Sequence, residues 1–136
     1  MKEHTAKVLE WKRANPEKVK AHNRIYAKKY NQTIRGRANV FLQRAKFVMT
    51  KKGETTDLTV EFLMELIQTA IESGGISIYT GRPDSASMDQ IIPQGGYTRD
   101  NVRIVPHWYN QAKHIFDDKS LLSAMAQYGF VRPNDL

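Results

Sequence analysis

ISIYTGRPDSASMDQIIPQGGYTRDNVRIVPHWYNQAKHIF, residues 76–116, is the stretch whose reading decides the fold. It reads as strand, turn, strand, Gly-rich loop, strand, helix. Residues 76–79 form a short apolar run, and residues 80–84 a turn. Residues 87–93 make a second strand, which carries one carboxylate, Asp89, and ends at Pro93. Residues 95–101 cluster Gly, Thr, Asp and Asn, the residues of turns. Residues 102–105 alternate with Arg103 as a third short strand. Pro106 suits the first turn of a helix, where a missing N–H costs nothing. On that helix Asn110 and His114 are four apart and share a face. A strand carboxylate facing an amide and an imidazole on a packed helix is a candidate site for a divalent cation.

The residues on either side read as helical, and those before residue 53 are strongly basic. Residues 4–13 read as a short amphipathic helix with Val8, Leu9 and Trp11 as its apolar points. Asn15-Pro16 is a cap followed by proline at the first helical position. A second helix over 16–30 carries Lys18, Lys20, Arg24, Lys28 and Lys29 beside a sparse apolar set of Val19, Ile25, Tyr26 and Tyr30. So thin a stripe packs weakly against a core. The segment 32–36 reads as a break and 37–51 as a third helix, with Val40, Phe41, Ala45, Phe47 and Val48 as its apolar face and Gly53 as its stop. Thr59 suits an N-cap, and Leu58 with Leu63 a hydrophobic staple. The helix they start, over 60–72, turns Phe62, Leu63, Leu66, Ile67 and Ala70 inward and ends at Ser73-Gly74-Gly75. A last helix over 119–128 is capped by residues 117–120, buries Leu121, Leu122, Met125 and Ala126, and stops at Gly129, with residues 132–136 as a tail.

Charge is distributed unevenly. The 136 residues carry a net charge of +7, but residues 1–52 hold 15 Lys/Arg against 3 Glu, a net of +12, and residues 53–136 hold 6 against 11 Asp/Glu, a net of −5. A basic half joined to a mildly acidic half implies a polyanion-binding arm beside a separate site. There is no cysteine, which excludes disulfides and a Cys-ligated structural zinc. No apolar run approaches the ~20 residues of a membrane span, and the N-terminus lacks a signal-peptide core. A soluble, cytoplasmic protein without a membrane partner is the expectation.

The stretch Asp89-Gln90-Ile91-Ile92-Pro93-Gln94, followed by Asn101-Val102 and Asn110-Gln111-Ala112-Lys113-His114, resembles the ββα-metal finger of HNH (His-Me finger) endonucleases. It is closest to phage and mobile-element members with the pattern GYT..NV..V...N..K, in which a Thr-Gly turn precedes the finger as Tyr79-Thr80-Gly81 does here. About a third of the chain carries the likeness. The resemblance implies an α+β fold, mainly helical, with a C-terminal ββα-metal finger over about 76–116 and a basic N-terminal helical arm. The arm spans 1–35, and 36–136 hold a helical scaffold plus the finger. It further implies a metal-dependent endonuclease on double-stranded DNA, in the host cytoplasm if phage-encoded, with a homodimer left open. Asp89, Asn110 and His114 match the family's ligands for one divalent ion, Mg²⁺ first and Mn²⁺, Ni²⁺ or Zn²⁺ as competitors. Asn101 matches the Asn that braces the loop through backbone hydrogen bonds.

One position departs from the pattern. The family's general-base His is Gln90 here, and a neutral amide cannot take a proton from water. Loss of a positioned base typically costs ~10²–10⁴ in rate. Another group could serve, the frame could be kept for binding alone, or the residue could be an engineered inactivating substitution; the sequence leaves all three open. Tyr79 is the candidate substitute base. His107, at the start of the helix, suits a cap or a phosphate contact better. Lys18, Lys20, Arg24, Lys28, Lys29, Arg35, Arg37, Arg99, Arg103 and Lys113, with Arg82, are the candidate phosphate contacts, which contribute affinity and not sequence choice.

Overall fold

A computed structural model describes residues 2–128; the stop expected at Gly129 and the tail expected over 132–136 lie outside the described residues. Six helices and one two-stranded sheet follow in the order α1 (Lys2–Ala14), α2 (Pro16–Asn31), α3 (Ile34–Lys51), α4 (Val60–Gly74), β1 (Ala86–Gln90), β2 (Val102–Pro106), α5 (His107–Lys113) and α6 (Asp118–Gln127) among the described residues. The fold is mixed α+β and mainly helical. No helix among them is long and apolar enough to cross a membrane.

Local chemistry explains most boundaries. Pro16 opens α2, with Asn15 alone between it and the end of α1. The expected break over 32–36 contracts to two residues, because Thr33 caps α3 by accepting from the Gly36 N–H at 3.0 Å while its hydroxyl donates to the Tyr30 carbonyl at 2.7 Å. Gly36 therefore belongs to the first turn of α3. A Cβ there would stand 1.9 Å from the Tyr30 carbonyl oxygen, so the close crossing of α2 and α3 requires glycine. Thr59 caps α4 through the Phe62 N–H at 3.2 Å, Leu58 and Leu63 are both buried beside the cap, and Gly75 ends the helix at φ 63°.

The core lies between α3, α4 and the sheet. Ala38, Phe41, Leu42, Ala45 and Met49 form one helical stripe on α3. They meet Leu63 and Ile67 of α4, Met88 of β1, Val102 of β2 and Tyr97 of the intervening loop. This corrects the expected α3 face: Val40 and Phe47 are exposed. The two alanines occupy the stripe because small side chains let α4 approach, while Phe47 is covered by the Lys51 ammonium 4.4 Å from its ring centre. On α4, Phe62, Leu66 and Ala70 are half-buried. α6 buries none of its residues, and Leu122, expected inside, is exposed. α1 and α2 likewise bury none, so Val8, Leu9, Trp11, Ile25 and Tyr26 stand exposed along a basic arm.

β1 and β2 pair antiparallel with Ser87 opposite Val105, Asp89 opposite Arg103 and Gln90 opposite Val102. Two expectations change here. The strand expected over 76–79 reduces to one parallel bridge between Ser77 and Ser85. The strand expected to reach Pro93 ends at Gln90, because the Asn101 side chain takes over the backbone of Ile92. Period-two alternation turns Ala86 and Met88 to the core side and Ser87 and Asp89 to the side covered by α5.

Candidate functional site

Asp89 is 4% exposed, on a strand flanked by apolar residues, and its charge is answered twice. Arg103, directly across the ladder, donates from Nε to Oδ2 at 2.9 Å. Lys113, from the last turn of α5, reaches both carboxylate oxygens, Oδ2 at 2.9 Å and Oδ1 at 3.2 Å. The Lys113 ammonium also donates to the carbonyls of Gln90 at 2.7 Å and Ile91 at 2.9 Å, and the residue has no exposed surface. Asp118, at the start of α6, completes the network. It accepts from Arg103 Nη2 at 2.7 Å and from the Tyr109 hydroxyl, and lies 3.9 Å from Lys113 Nζ.

These pairings set the ionisation of the groups around Asp89. The hydrogen bond from Arg103, then that from Tyr109, hold the Asp118 carboxyl below the usual carboxylate range. Burial opposes the charge on Arg103, yet its bonds to Asp118 and Asp89 prevail and raise its pKa further above the ordinary value. Burial first, and then the bond to Asp118, push the Tyr109 phenol upward.

The β1–β2 loop is held by two amides. Asn101 is buried; its Oδ1 accepts from the Ile92 N–H at 2.8 Å, and its Nδ2 donates to the carbonyls of Ile92 at 3.1 Å and Gly96 at 2.9 Å. Gln90 Oε1 accepts from the Gly96 N–H at 2.9 Å. Gly96 sits at φ 98° against Met49, and Gln94 adopts φ 63°. The Gln90 side-chain amide oxygen, in the expected base position, is thus committed to the loop.

Asp89, Gln90, Asn110 and His114 all line one groove of about 1070 Å³. Its floor is β1, one wall is α3 with Arg37 and Arg44, and the other is α5 with His107 and Trp108; the turn at Arg82 closes one end. Asn110 Nδ2 donates to Ser87 Oγ at 2.7 Å and Met88 O at 3.4 Å, and its Oδ1 has no partner among the described residues. His114 is not on the helix. α5 ends at Lys113, and His114 turns out at φ 48°, exposed, so the expected shared helical face with Asn110 does not form. Arg37 donates from Nη2 to Ala86 O at 3.1 Å and lies over the Phe41 ring, while its Nε is buried without a partner. Burial lowers the Arg37 pKa, but a guanidinium stays charged.

The donor set does not suit a resident divalent ion in this arrangement. No group of three or more His, Cys, Asp or Glu side chains is placed to hold one among the described residues. The Asp89 carboxylate, the one hard anionic ligand expected, is already paired with two fixed cations, and His114 stands off the helix that was expected to carry it.

Two candidate phosphate contacts are corrected by burial and pairing. Lys113 has no surface to offer, and the Arg103 fork is spent on Asp89 and Asp118. Arg99 is exposed, but it ties to Asp57 through its backbone N–H and Nε, each at 2.9 Å, and lies over Phe62 away from the groove. Lys18, Lys20, Arg24, Lys28, Lys29 and Arg35 are exposed on the arm and its junction with α3. Tyr79 is 58% exposed, lies on a bend and does not line the groove, which removes the geometric ground for a substitute base.

Sequence reasoning gave Ser87, Tyr109 and Asp118 no part in the site. The available signal was local: Asp89 is the one carboxylate between Ser85 and Arg99, with cations on the next strand and the next helix. Comparison with family models, with curated proteins and with solved structures gives no significant match.

Proposed function

We propose that this protein is an HNH-type DNA endonuclease in its frame, acting on double-stranded DNA, whose hydrolytic step is weak or absent in this chain and whose retained activity is DNA binding. The observation that carries the reading is convergence. The residues matching the family pattern, Asp89, Gln90, Asn110 and His114, line a single groove walled by Arg37, Arg44 and Arg82. In this reading the β1–β2–α5 unit is the finger. The basic arm of α1 and α2, with no buried residue, supplies phosphate contacts beside it. Hydrolysis is impaired for two reasons. Gln90 cannot accept a proton and is tied to Gly96, and Asp89 is held by Lys113 and Arg103.

A second reading, a competent metal-dependent endonuclease, draws on one observation: the unpartnered Asn110 Oδ1 opens on the same groove as Asp89 and His114. A paired assay separates the two. The protein and its Gln90→His variant are incubated with supercoiled plasmid and Mg²⁺ or Mn²⁺, with an EDTA control. The expected result is salt-dependent retardation of duplex DNA by both proteins, with log affinity falling by about 0.9 per phosphate neutralised for each log unit of salt, and intact plasmid in both lanes. EDTA-sensitive nicking by the native protein would establish the second reading, whereas nicking that appears or rises tenfold or more only in the His variant would trace the lost step to Gln90. Failure of either protein to bind duplex DNA overturns both.

A further inference from the structure

We propose that Lys113 is the resident cation of this site: its ammonium fills an oxygen cage that would otherwise receive a divalent ion, so the native chain takes no such ion there. Four oxygens surround Lys113 Nζ. Two belong to the Asp89 carboxylate at 2.9 and 3.2 Å, and two are the carbonyls of Gln90 at 2.7 Å and Ile91 at 2.9 Å. An ammonium has three protons to donate, and all are engaged by this shell. Carboxylate plus carbonyl oxygen is also the donor set that hard cations choose. The surrounding charges balance without a metal, since Asp89 and Asp118 face Arg103 and Lys113. A dication added to that balanced, largely buried set meets two fixed positive groups and has one carboxylate to share with them. To bind at Asp89 it must expel an ammonium that has no exposed surface. The inference rests on this geometry alone and is independent of the nucleic-acid reading.

The test is a Mn²⁺ titration of the full chain without DNA, followed by the electron paramagnetic resonance signal of the free ion. Native protein, Asn110→Ala and Lys113→Met are compared. The native protein and Asn110→Ala are expected to give superimposable curves with no saturable site. Lys113→Met is expected to gain one saturable site per chain, displaced by Mg²⁺ and lost when Asp89→Asn is added. A native protein that holds one Mn²⁺, lost in Asn110→Ala, overturns the proposal. So does a folded Lys113→Met chain that gains no site. Ions bound by native protein and by Asn110→Ala alike are assigned with Asp89→Asn: retained there they lie outside the cage, and one lost there overturns the proposal. If Lys113→Met does not fold, as judged by circular dichroism, the native and Asp89→Asn curves decide: a saturable site in the first that is lost in the second overturns the proposal. Because DNA is absent, failure of the DNA-binding reading cannot be mistaken for failure here.

Discussion

Replacing Asp89 with alanine separates a structural carboxylate from a vacant metal ligand, because the two roles predict opposite signs in metal-free buffer. In the structure Asp89 is the common acceptor for Lys113 and Arg103. Its removal leaves an ammonium with no exposed surface, whose remaining partners are two backbone carbonyls and Asp118 at 3.9 Å. Removing one partner of a buried ion pair costs about 3–5 kcal/mol. Arg103 is one-third exposed and keeps its bond to Asp118, so it recovers hydration and part of its pairing. The lower end, about 3 kcal/mol, is therefore the expected loss. That is a large part of the 5–15 kcal/mol typical of a small domain. At a urea dependence of about 1–3 kcal/mol per molar, the midpoint falls by about 1–3 M. A double-mutant cycle sharpens the test. Lys113→Met alone leaves the Gln90 and Ile91 carbonyls without their donor, at about 1–3 kcal/mol for each acceptor left unmet. The Asp89→Ala, Lys113→Met double variant should lose less than the sum of the two, because an absent pair strands no charge. The assay is urea unfolding by circular dichroism in EDTA. If Asp89→Ala unfolds at the same or a higher urea concentration than the native protein, the carboxylate is an unpaired ligand, and the network described above is not what holds it.

Two further perturbations probe the network and the loop. Asp118 has its pKa lowered by Arg103 and then by Tyr109. Its stabilising share is therefore complete above the unfolded carboxyl value of about 3.9 and is lost as pH falls through the lower folded value. The melting-temperature gap between native protein and Asp118→Asn should be constant from neutral pH to about 5 and close below about 4; a gap that widens in acid contradicts the assignment. Asn101→Ala removes three hydrogen bonds to the Ile92 and Gly96 backbone, for an expected loss of about 2–4 kcal/mol in urea unfolding. Asn101→Asp should not rescue it, since a carboxylate keeps the bond from the Ile92 N–H but faces two carbonyls; full stability in the Asp variant would show that the side chain does not hold the loop.

Much of the frame was legible because it rests on short-range rules. Thr59, Asp117 and Pro16 mark helix starts by capping or by fixed φ, and those starts fall within a residue or two of the expected places. The antiparallel pair was legible from turn residues between two apolar runs. What escaped were choices made by tertiary packing. Gly36 reads as a breaker in isolation, yet it is a helical residue that lets Tyr30 approach. Ala38, Leu42 and Met49 stand outside the expected α3 face, yet they join Phe41 and Ala45 in the core, while Phe47 is left outside. The run over 76–79 has the composition of a strand but finds only one bridging partner, and Asn101 ends β1 by substituting a side chain for the ladder.

The site itself turned on a single helical step. A carboxylate buried between a strand pair and a helix must be neutralised, and the segment 110–114 carries two means of doing so in adjacent positions, Lys113 and His114. Measured from Asn110, which is anchored to Ser87, residues three and four positions on both return to the same side of a continuous helix. Spacing alone therefore cannot choose between them. The choice is made where the helix stops. α5 keeps helical geometry only as far as Lys113, which brings the ammonium down over Asp89, and the chain leaves the helix at His114 with φ 48°. A lysine at that point offers a full positive charge on a flexible stem long enough to reach both carboxylate oxygens and two strand-end carbonyls at once. A protonated imidazole in the same place has two N–H donors fixed in a ring and cannot reach all four oxygens. The termination of a seven-residue helix thus decides whether the β1–β2–α5 unit presents a metal site or an ion-paired one. That decision predicts that lengthening α5 by one residue of helix, not changing Asp89, is the structural step that would bring His114 toward the carboxylate.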